Sequence, residues 1–272
     1  MNTAYLLVAH GSHDPRPQIG LQRLTDLVGR NLVALPPSTS LAMERSERRN
    51  LASNNDLSGR SLAVLTKPTL SVLGVNLECQ SLPLHQQIVE RVYPLIDQGV
   101  TTVNILPLFL SPGVHVCEDL PAEIRQAQLS LATSCRLKTL PYLGSSPLLI
   151  PWLEQCFWQY QTRPQAQRIL LAHGSRRPGG NRVIAQVAQR LNAQVTFWKT
   201  EPSLDQVLSQ FPSPAQVVIL PYFLFAGGTT DAIQTKTQQL QQQHPGLNLK
   251  LGEPLGPNPM LARLIATVFR QG

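Results

Sequence analysis

The sequence predicts an α/β protein made of two tandem three-layer α/β/α units with mainly parallel sheets, and three features carry that expectation. An early segment returns in the second half, AYLLVAHGSHDP at residues 4–15 being echoed by RILLAHGSRRP at 168–178. Further echoes follow in the same order. TTVNILPLFLSPGVH (101–115) aligns without a gap on AQVVILPYFLFAGGT (215–229), and Leu143-Gly144 ahead of Pro147 has its counterpart in Leu255-Gly256 ahead of Pro259. Between these echoes, short and nearly continuous apolar runs alternate with amphipathic stretches, the pattern of parallel strands covered on both faces.

Along the chain, AYLLVA reads as the first strand and delivers His10 at its end, with a helix start following around Ser12 and Asp14. Residues 33–70 have no counterpart in the second half. They contain Pro36-Pro37, Ser-Asn-Asn-Asp at 53–56 and no aromatic residue, and read as an inserted flexible surface segment. SVLGVNLE is the next strand, closed by Glu78. Pro83 suits the first turn of the helix after it, whose Leu84, Ile88, Val89 and Val92 share one face. NILPLFL then forms a strand that leads towards His115. The helix from Pro147 onward packs either on its own unit or across onto the other. A boundary at Gln161, Thr162, Arg163 and Pro164 gives units of residues 1–160 and 161–272. In the second unit RILLA, VTFWKTE and VVILPYFL are strands. Val183, Ile184, Val187, Ala188 and Leu191 form the apolar face of a helix.

At 272 residues, with 42% hydrophobic and 14% charged side chains, the chain has enough apolar material for two packed cores. Apolar runs fall short of the roughly 18 to 20 residues that span a bilayer, and the N-terminus lacks the basic start of a secretory signal, so no membrane partner and a cytoplasmic location are expected. The net charge of +7 favours acidic partners. Those charges are scattered, with their densest cluster at Arg45, Arg48 and Arg49, which argues against a nucleic-acid partner. Cysteines 79, 117, 135 and 156 never approach CxxC spacing and read as reduced packing residues.

His10 and His115 both sit at or just beyond the carboxyl ends of expected parallel strands, where α/β sheets build their sites. If the strands are neighbours, the two imidazoles converge. One such histidine alone is commonly a turn residue, whereas two at equivalent strand ends form a pattern. Glu78 brings a carboxylate to the same edge, and its competing reading is a charge at the N-terminus of the following helix. The second half offers Glu201 at the end of VTFWKTE.

These motifs resemble the sirohydrochlorin chelatases of the class II, ATP-independent type, in the long form with two fused repeats. The resemblance rests on VAHGS with His10, on the strand-end Glu78 and on PLFLSPGVHVCEDLPAEI with His115, and it spans nearly the whole chain. It implies that His10 and His115 bind the metal and act in insertion, with a chelatase-type fold around them; Glu78 is read as the further catalytic group that accepts a proton or steers the ion. The implied reaction places Fe²⁺ or Co²⁺, as substrate, into sirohydrochlorin with release of two protons and no organic cofactor. Histidine suits this chemistry, because its pKa of about 6.5 allows proton transfer near neutrality and neutral imidazole binds first-row metals without caging them. Iron and cobalt fit these ligands equally well.

Sirohydrochlorin is a polycarboxylic acid, which matches the positive balance of the chain. Ser12 and the backbone N–H groups after His10, with Arg16 nearby, are candidates for holding its carboxylates, Gly113 is a further substrate-binding candidate, and His173, Arg176, Arg177 and the Gly227-Gly228 turn are candidates for facing it from the second half. Thr229 falls where His115 stands in the first half, so one complete site per chain is expected, with the second repeat as the opposite wall of a cleft. His173 as a relic of duplication, and a second site built from His173 and Glu201, are the competing readings. An internal repeat also replaces a homodimer by a pseudo-twofold monomer.

Other chemistries fit less well. A phosphoglycerate-mutase-like phosphatase needs arginine directly before its histidine, where Ala9 and Ala172 stand, and a serine hydrolase needs the absent G-x-S-x-G. The stronger alternative is a non-catalytic carrier of metal or tetrapyrrole on the same fold.

Overall fold

The computed structural model describes residues 2–34 and 71–272. The elements run β1 (Asn2–Ala9), α1 (Pro15–Ala34), β2 (Val72–Asn76), α2 (Leu84–Ile96), β3 (Val100–Pro107), α3 (Leu120–Leu131), β4 (Arg136–Thr139) and α4 (Leu149–Tyr160). They continue as β5 (Gln167–Ala172), α5 (Arg182–Arg190), β6 (Gln194–Phe197), α6 (Leu204–Leu208), β7 (Ala215–Pro221), α7 (Gly228–Gln243), β8 (Leu247–Leu251) and α8 (Pro259–Gln271). Of the expected insertion, Val33 and Ala34 belong to α1, and residues 35–70, with Arg45, Arg48 and Arg49, lie outside the described residues.

Two four-stranded parallel sheets, ordered β2-β1-β3-β4 and β6-β5-β7-β8, repeat one topology. Their central strands are apolar on both faces because helices cover both. Along β1, Ala4, Leu6 and Val8 face one core while Leu7 and Ala9 face another. The pleat directs alternate side chains to opposite sides, so a continuous apolar run serves two layers at once. Helices α2 and α3 close the outer face of the first sheet, and α6 and α7 that of the second. Between the sheets, α1, α4, α5 and α8 share one large core containing Leu24, Trp152, Phe157, Ile184, Ile265 and Phe269.

That middle layer is exchanged between the halves. Helix α4, which ends the first half, sends Tyr160 against Gly252 and Leu220 of the second sheet, and its Glu154 accepts two hydrogen bonds of 2.9 Å from Arg168 on β5. Helix α8 returns the exchange. Phe269 packs at a tilt against Tyr5 of β1 with ring centroids 4.7 Å apart, and Arg270 donates to the carbonyls of Asn31 and Leu32 on α1. Of the two placements open for the helix after Pro147, the one across onto the other unit is adopted. Each large side chain buried this way contributes about 1.5–3 kcal/mol, so the halves hold one another through their cores.

Parallel pairing of β1 with both β2 and β3 sends three strand ends to one edge, with Ala9 opposite Asn76 and Val8 opposite Pro107. The second sheet does the same with Ala172 opposite Phe197 and Leu171 opposite Pro221. These two edges face one cleft.

Candidate functional site

At the first edge the backbone sets the geometry. The N–H of Leu77 donates to the Ala9 carbonyl at 2.9 Å and that of Glu78 to the His10 carbonyl at 2.8 Å, which carries the pairing of β1 and β2 past the strand ends. Glu78 therefore lies two residues beyond its strand, which closes at Asn76 rather than at Glu78 as the sequence suggested. The close approach needs Gly11, whose φ is +98° and where a Cβ would stand 2.0 Å from the Glu78 carbonyl oxygen. From the next strand, His115 comes in on a π-helical turn (His115–Asp119) in which the N–H of Leu120 bonds back to the His115 carbonyl. Such turns widen a helix and redirect side chains, and they are frequent at functional sites.

Side chains of His10, Glu78 and His115 converge there, each offering a ligand atom within 4.8 Å of the others, the one such group among the described residues. The imidazole rings stand edge to face with centroids 4.7 Å apart. Glu78 bridges them, Oε2 lying 3.8 Å from Nε2 of His10 and Oε1 3.8 Å from Nδ1 of His115. An ion held at about 2.0–2.2 Å by such ligands draws its donor atoms to roughly 3–3.5 Å from one another. Rotations of these half-exposed side chains cover the difference.

Proton positions follow from the partners. Nδ1 of His10 faces the Gly11 carbonyl at 3.1 Å, an atom that only accepts, which favours a proton on Nδ1 and directs Nε2 towards the group. Nδ1 of His115 lies 2.8 Å from Oδ2 of Asp119, which fixes that ring in the same way and leaves its Nε2 free. Asp119 was not singled out from the sequence, although its spacing of four from His115 on a helical turn was the available signal. Phe109 was missed too; its ring centroid lies 6.3 Å from His10 and 6.4 Å from His115, closing the apolar side of the group.

The group opens into a cleft of 610 Å³ between the halves, lined by His10, Phe109, Gly113, His115, His173 and Thr229 among others. Gly113 presents open space, with no atom within 4 Å of where a Cβ would be. Phe225 reaches the cleft from the second half by packing over Gly20 of α1, where a Cβ would meet its ring at 2.6 Å. The buried Tyr222 hydroxyl donates to the Leu110 carbonyl at 3.1 Å and ties the two loops behind the cleft together.

Other expected residues are engaged elsewhere. The Ser12 hydroxyl accepts the Asp14 N–H at 3.0 Å, shaping the turn into α1. Arg16, expected beside a substrate carboxylate, instead binds two protein carboxylates: Asp14, at 2.6 Å from Nη2, and Asp231 on α7, at 2.7 and 2.9 Å. Its guanidinium holds Asp14 down to about 2 and lowers Asp231 as well, so α1 of one half is bridged to α7 of the other.

His173 repeats the backbone of His10, with Nδ1 3.1 Å from the Gly174 carbonyl and Gly174 at φ +85°. It lies outside the ligand group. Glu201 is not the counterpart of Glu78: its carboxylate accepts the Ser203 N–H at 2.9 Å, at the start of α6. The residue whose N–H donates to the His173 carbonyl, as that of Glu78 does to His10, is Lys199. With a cation there and Thr229 in place of His115, the second edge does not rebuild the first, and Glu201 is turned to the start of α6.

Comparison with known proteins fits this duplicated architecture. The CbiX family model matches the chain twice, over residues 73–159 and 167–271. A sirohydrochlorin ferrochelatase of Priestia megaterium is 26% identical over 156 residues, 53% of this chain, which spans only 59% of that relative. SirB from Bacillus subtilis with Fe³⁺ superposes with a TM-score of 0.70 at 19% identity, covering 100% of this chain and 95% of that one. SirB from Bacillus subtilis subspecies spizizenii in complex with cobalt gives 0.64 at 19%, covering 99% and 95%. With two family matches over most of its length, the chain belongs to the CbiX family.

Proposed function

We propose that the chain inserts Fe²⁺ or Co²⁺ into sirohydrochlorin, releasing two protons, with the metal taken first by His10 and His115. The observation that carries this reading is the convergence of two imidazoles and one carboxylate on a cleft walled by both halves. The tautomers favoured by Gly11 and Asp119 offer Nε2 of both rings to the ion, while coordination positions stay open for pyrrole nitrogens. Glu78, exposed beside both rings, accepts the pyrrole protons one at a time and passes each to solvent as its N–H gives way to a metal–nitrogen bond. Substrates needing to leave again are served better by this half-exposed, incomplete ligand set than by a closed cage.

The reading needs no organic cofactor. It takes residues 1–160 as the unit that carries the metal group and 161–272 as the opposite wall, within a cytoplasmic monomer. No helix among the described residues is long and apolar enough to cross a membrane. Gly113 leaves room for an edge of the macrocycle. SirB structures carrying iron in one case and cobalt in another are consistent with either metal here. The test is anaerobic mixing of the purified chain with sirohydrochlorin and Fe²⁺ or Co²⁺, following macrocycle absorbance against the uncatalysed rate. Acceleration is expected with at least one metal. Binding without acceleration would make the protein a carrier.

A further inference from the structure

We infer that the flank of the cleft's second half binds anions, with Lys199, beside His173, receiving a carboxylate arm of the macrocycle while the first half handles the metal. The inference rests on the proposed function and assigns the side of the substrate that each half holds. Its starting point is the backbone equivalence of the two edges. The Trp198 and Lys199 N–H groups donate to the Ala172 and His173 carbonyls at 2.8 and 2.9 Å, as those of Leu77 and Glu78 do to Ala9 and His10. Lys199 thus occupies the place of Glu78, and the charge at that point is reversed.

The reversal is not confined to one position. Carrying the repeat alignment through the turns puts Arg177 where Asp14 stands, Arg176 where His13 stands, and the apolar Ile233 where Asp119 stands. Around the first edge the carboxylates Glu78 and Asp119 stand beside the imidazoles, while the charge of Asp14 is met by Arg16. Around the second they are replaced by cations or removed. Asp231 runs against the trend, and its charge is met by Arg16.

The side chains are also available. Lys199 is exposed, with its Nζ 6.0 Å from the Trp198 ring centroid, and no ion pair engages it among the described residues. Arg176 and Arg177 are exposed on the same turn as His173, Gly174 and Ser175, which line the cleft; Lys199 and the two arginines flank that lining rather than belong to it. An ammonium on a flexible stem suits a carboxylate arm that itself has freedom. A cation here also keeps free metal on the opposite wall, because it repels the ion that Glu78 attracts.

The experiment separates the two ligands. Metal-free sirohydrochlorin is titrated into the full chain and read by its absorbance, and Co²⁺ alone is titrated and read by its visible bands, for the parent, Lys199→Ala, Lys199→Glu and His115→Ala. Loss of one charge-assisted contact should raise Kd for sirohydrochlorin, and KM, by about tenfold in Lys199→Ala and further in Lys199→Glu, with Co²⁺ binding unchanged. His115→Ala should lose Co²⁺ binding and keep the tetrapyrrole. The affinity of the parent should fall with salt more steeply than that of Lys199→Ala. Equal sirohydrochlorin affinity in the parent and Lys199→Glu overturns the inference alone. A parent that binds no sirohydrochlorin removes the proposed function and the inference together.

Discussion

Asp119 holds His115 from one π-helical turn away, its Oδ2 2.8 Å from Nδ1 of the imidazole, so ring orientation and tautomer are decided by a neighbour outside the ligand group. Asp119→Ala should reduce metal insertion about 10- to 100-fold by freeing that ring. Asp119→Asn, whose amide oxygen still accepts from Nδ1, should recover part of the loss. Insertion rates for the three proteins decide the matter, and an Asp119→Ala rate equal to the parent's sinks the role.

His115→Ala should slow insertion by about a hundredfold or more, since it removes a ligand and a proton-handling group together. His173→Ala should cost far less, because its imidazole stands on the opposite wall outside the ligand group. Equal losses in kcat would contradict a single site per chain.

Gly11 and Gly113 make opposite demands. Gly11→Ala strains a backbone at φ +98° and drives a methyl into the Glu78 carbonyl, so a loss of about 1–3 kcal/mol from the backbone alone is expected, together with activity. Gly113→Ala meets open space, and its thermal midpoint should match the parent's. A weaker sirohydrochlorin affinity in Gly113→Ala would locate the macrocycle against that turn.

The bridge from Arg16 to Asp14 and Asp231 should show itself in acid. Both carboxyls are lowered by the guanidinium, Asp14 to about 2, from an unfolded value of about 3.9. A lowered folded pKa gives stability that is complete above the unfolded value and is lost as pH falls through the folded one. The Tm difference between the parent and Arg16→Met should therefore be small and constant at neutral pH, then vanish as pH drops from about 4 towards 2. A difference that grows in acid would reverse the assignment.

The strands were legible because their signal is local: AYLLVA, RILLA and VVILP are apolar enough to need cover on both faces wherever they sit. His10, Glu78 and His115 could be named from their places after such runs, and parallel pairing did the rest. What escaped depended on geometry that pattern does not carry. The engagement of Arg16 requires Asp231, far along the chain, to arrive beside it. Counting to the last residue of VTFWKTE selected Glu201, whereas the hydrogen bond to His173 selects Lys199, because β6 ends at Phe197 and the equivalent position lies two residues beyond the strand end, as Glu78 lies two beyond Asn76. The π-helical register at His115 likewise leaves no periodic trace beyond Pro121, which cannot donate an N–H to a preceding turn.

The crossing of α4 and α8 between the halves has a mechanical meaning for the cleft. Two walls joined only by residues 161–166 would drift, and the distance between metal and macrocycle would be set by a tether. Here each wall is backed by a helix rooted in the other, with Trp152, Phe157 and Phe269 in one continuous interior. The gauge of the cleft is thereby as stiff as a packed core. A half expressed without its mate should lack its cover and its gauge alike, which makes the ancestral duplication difficult to reverse.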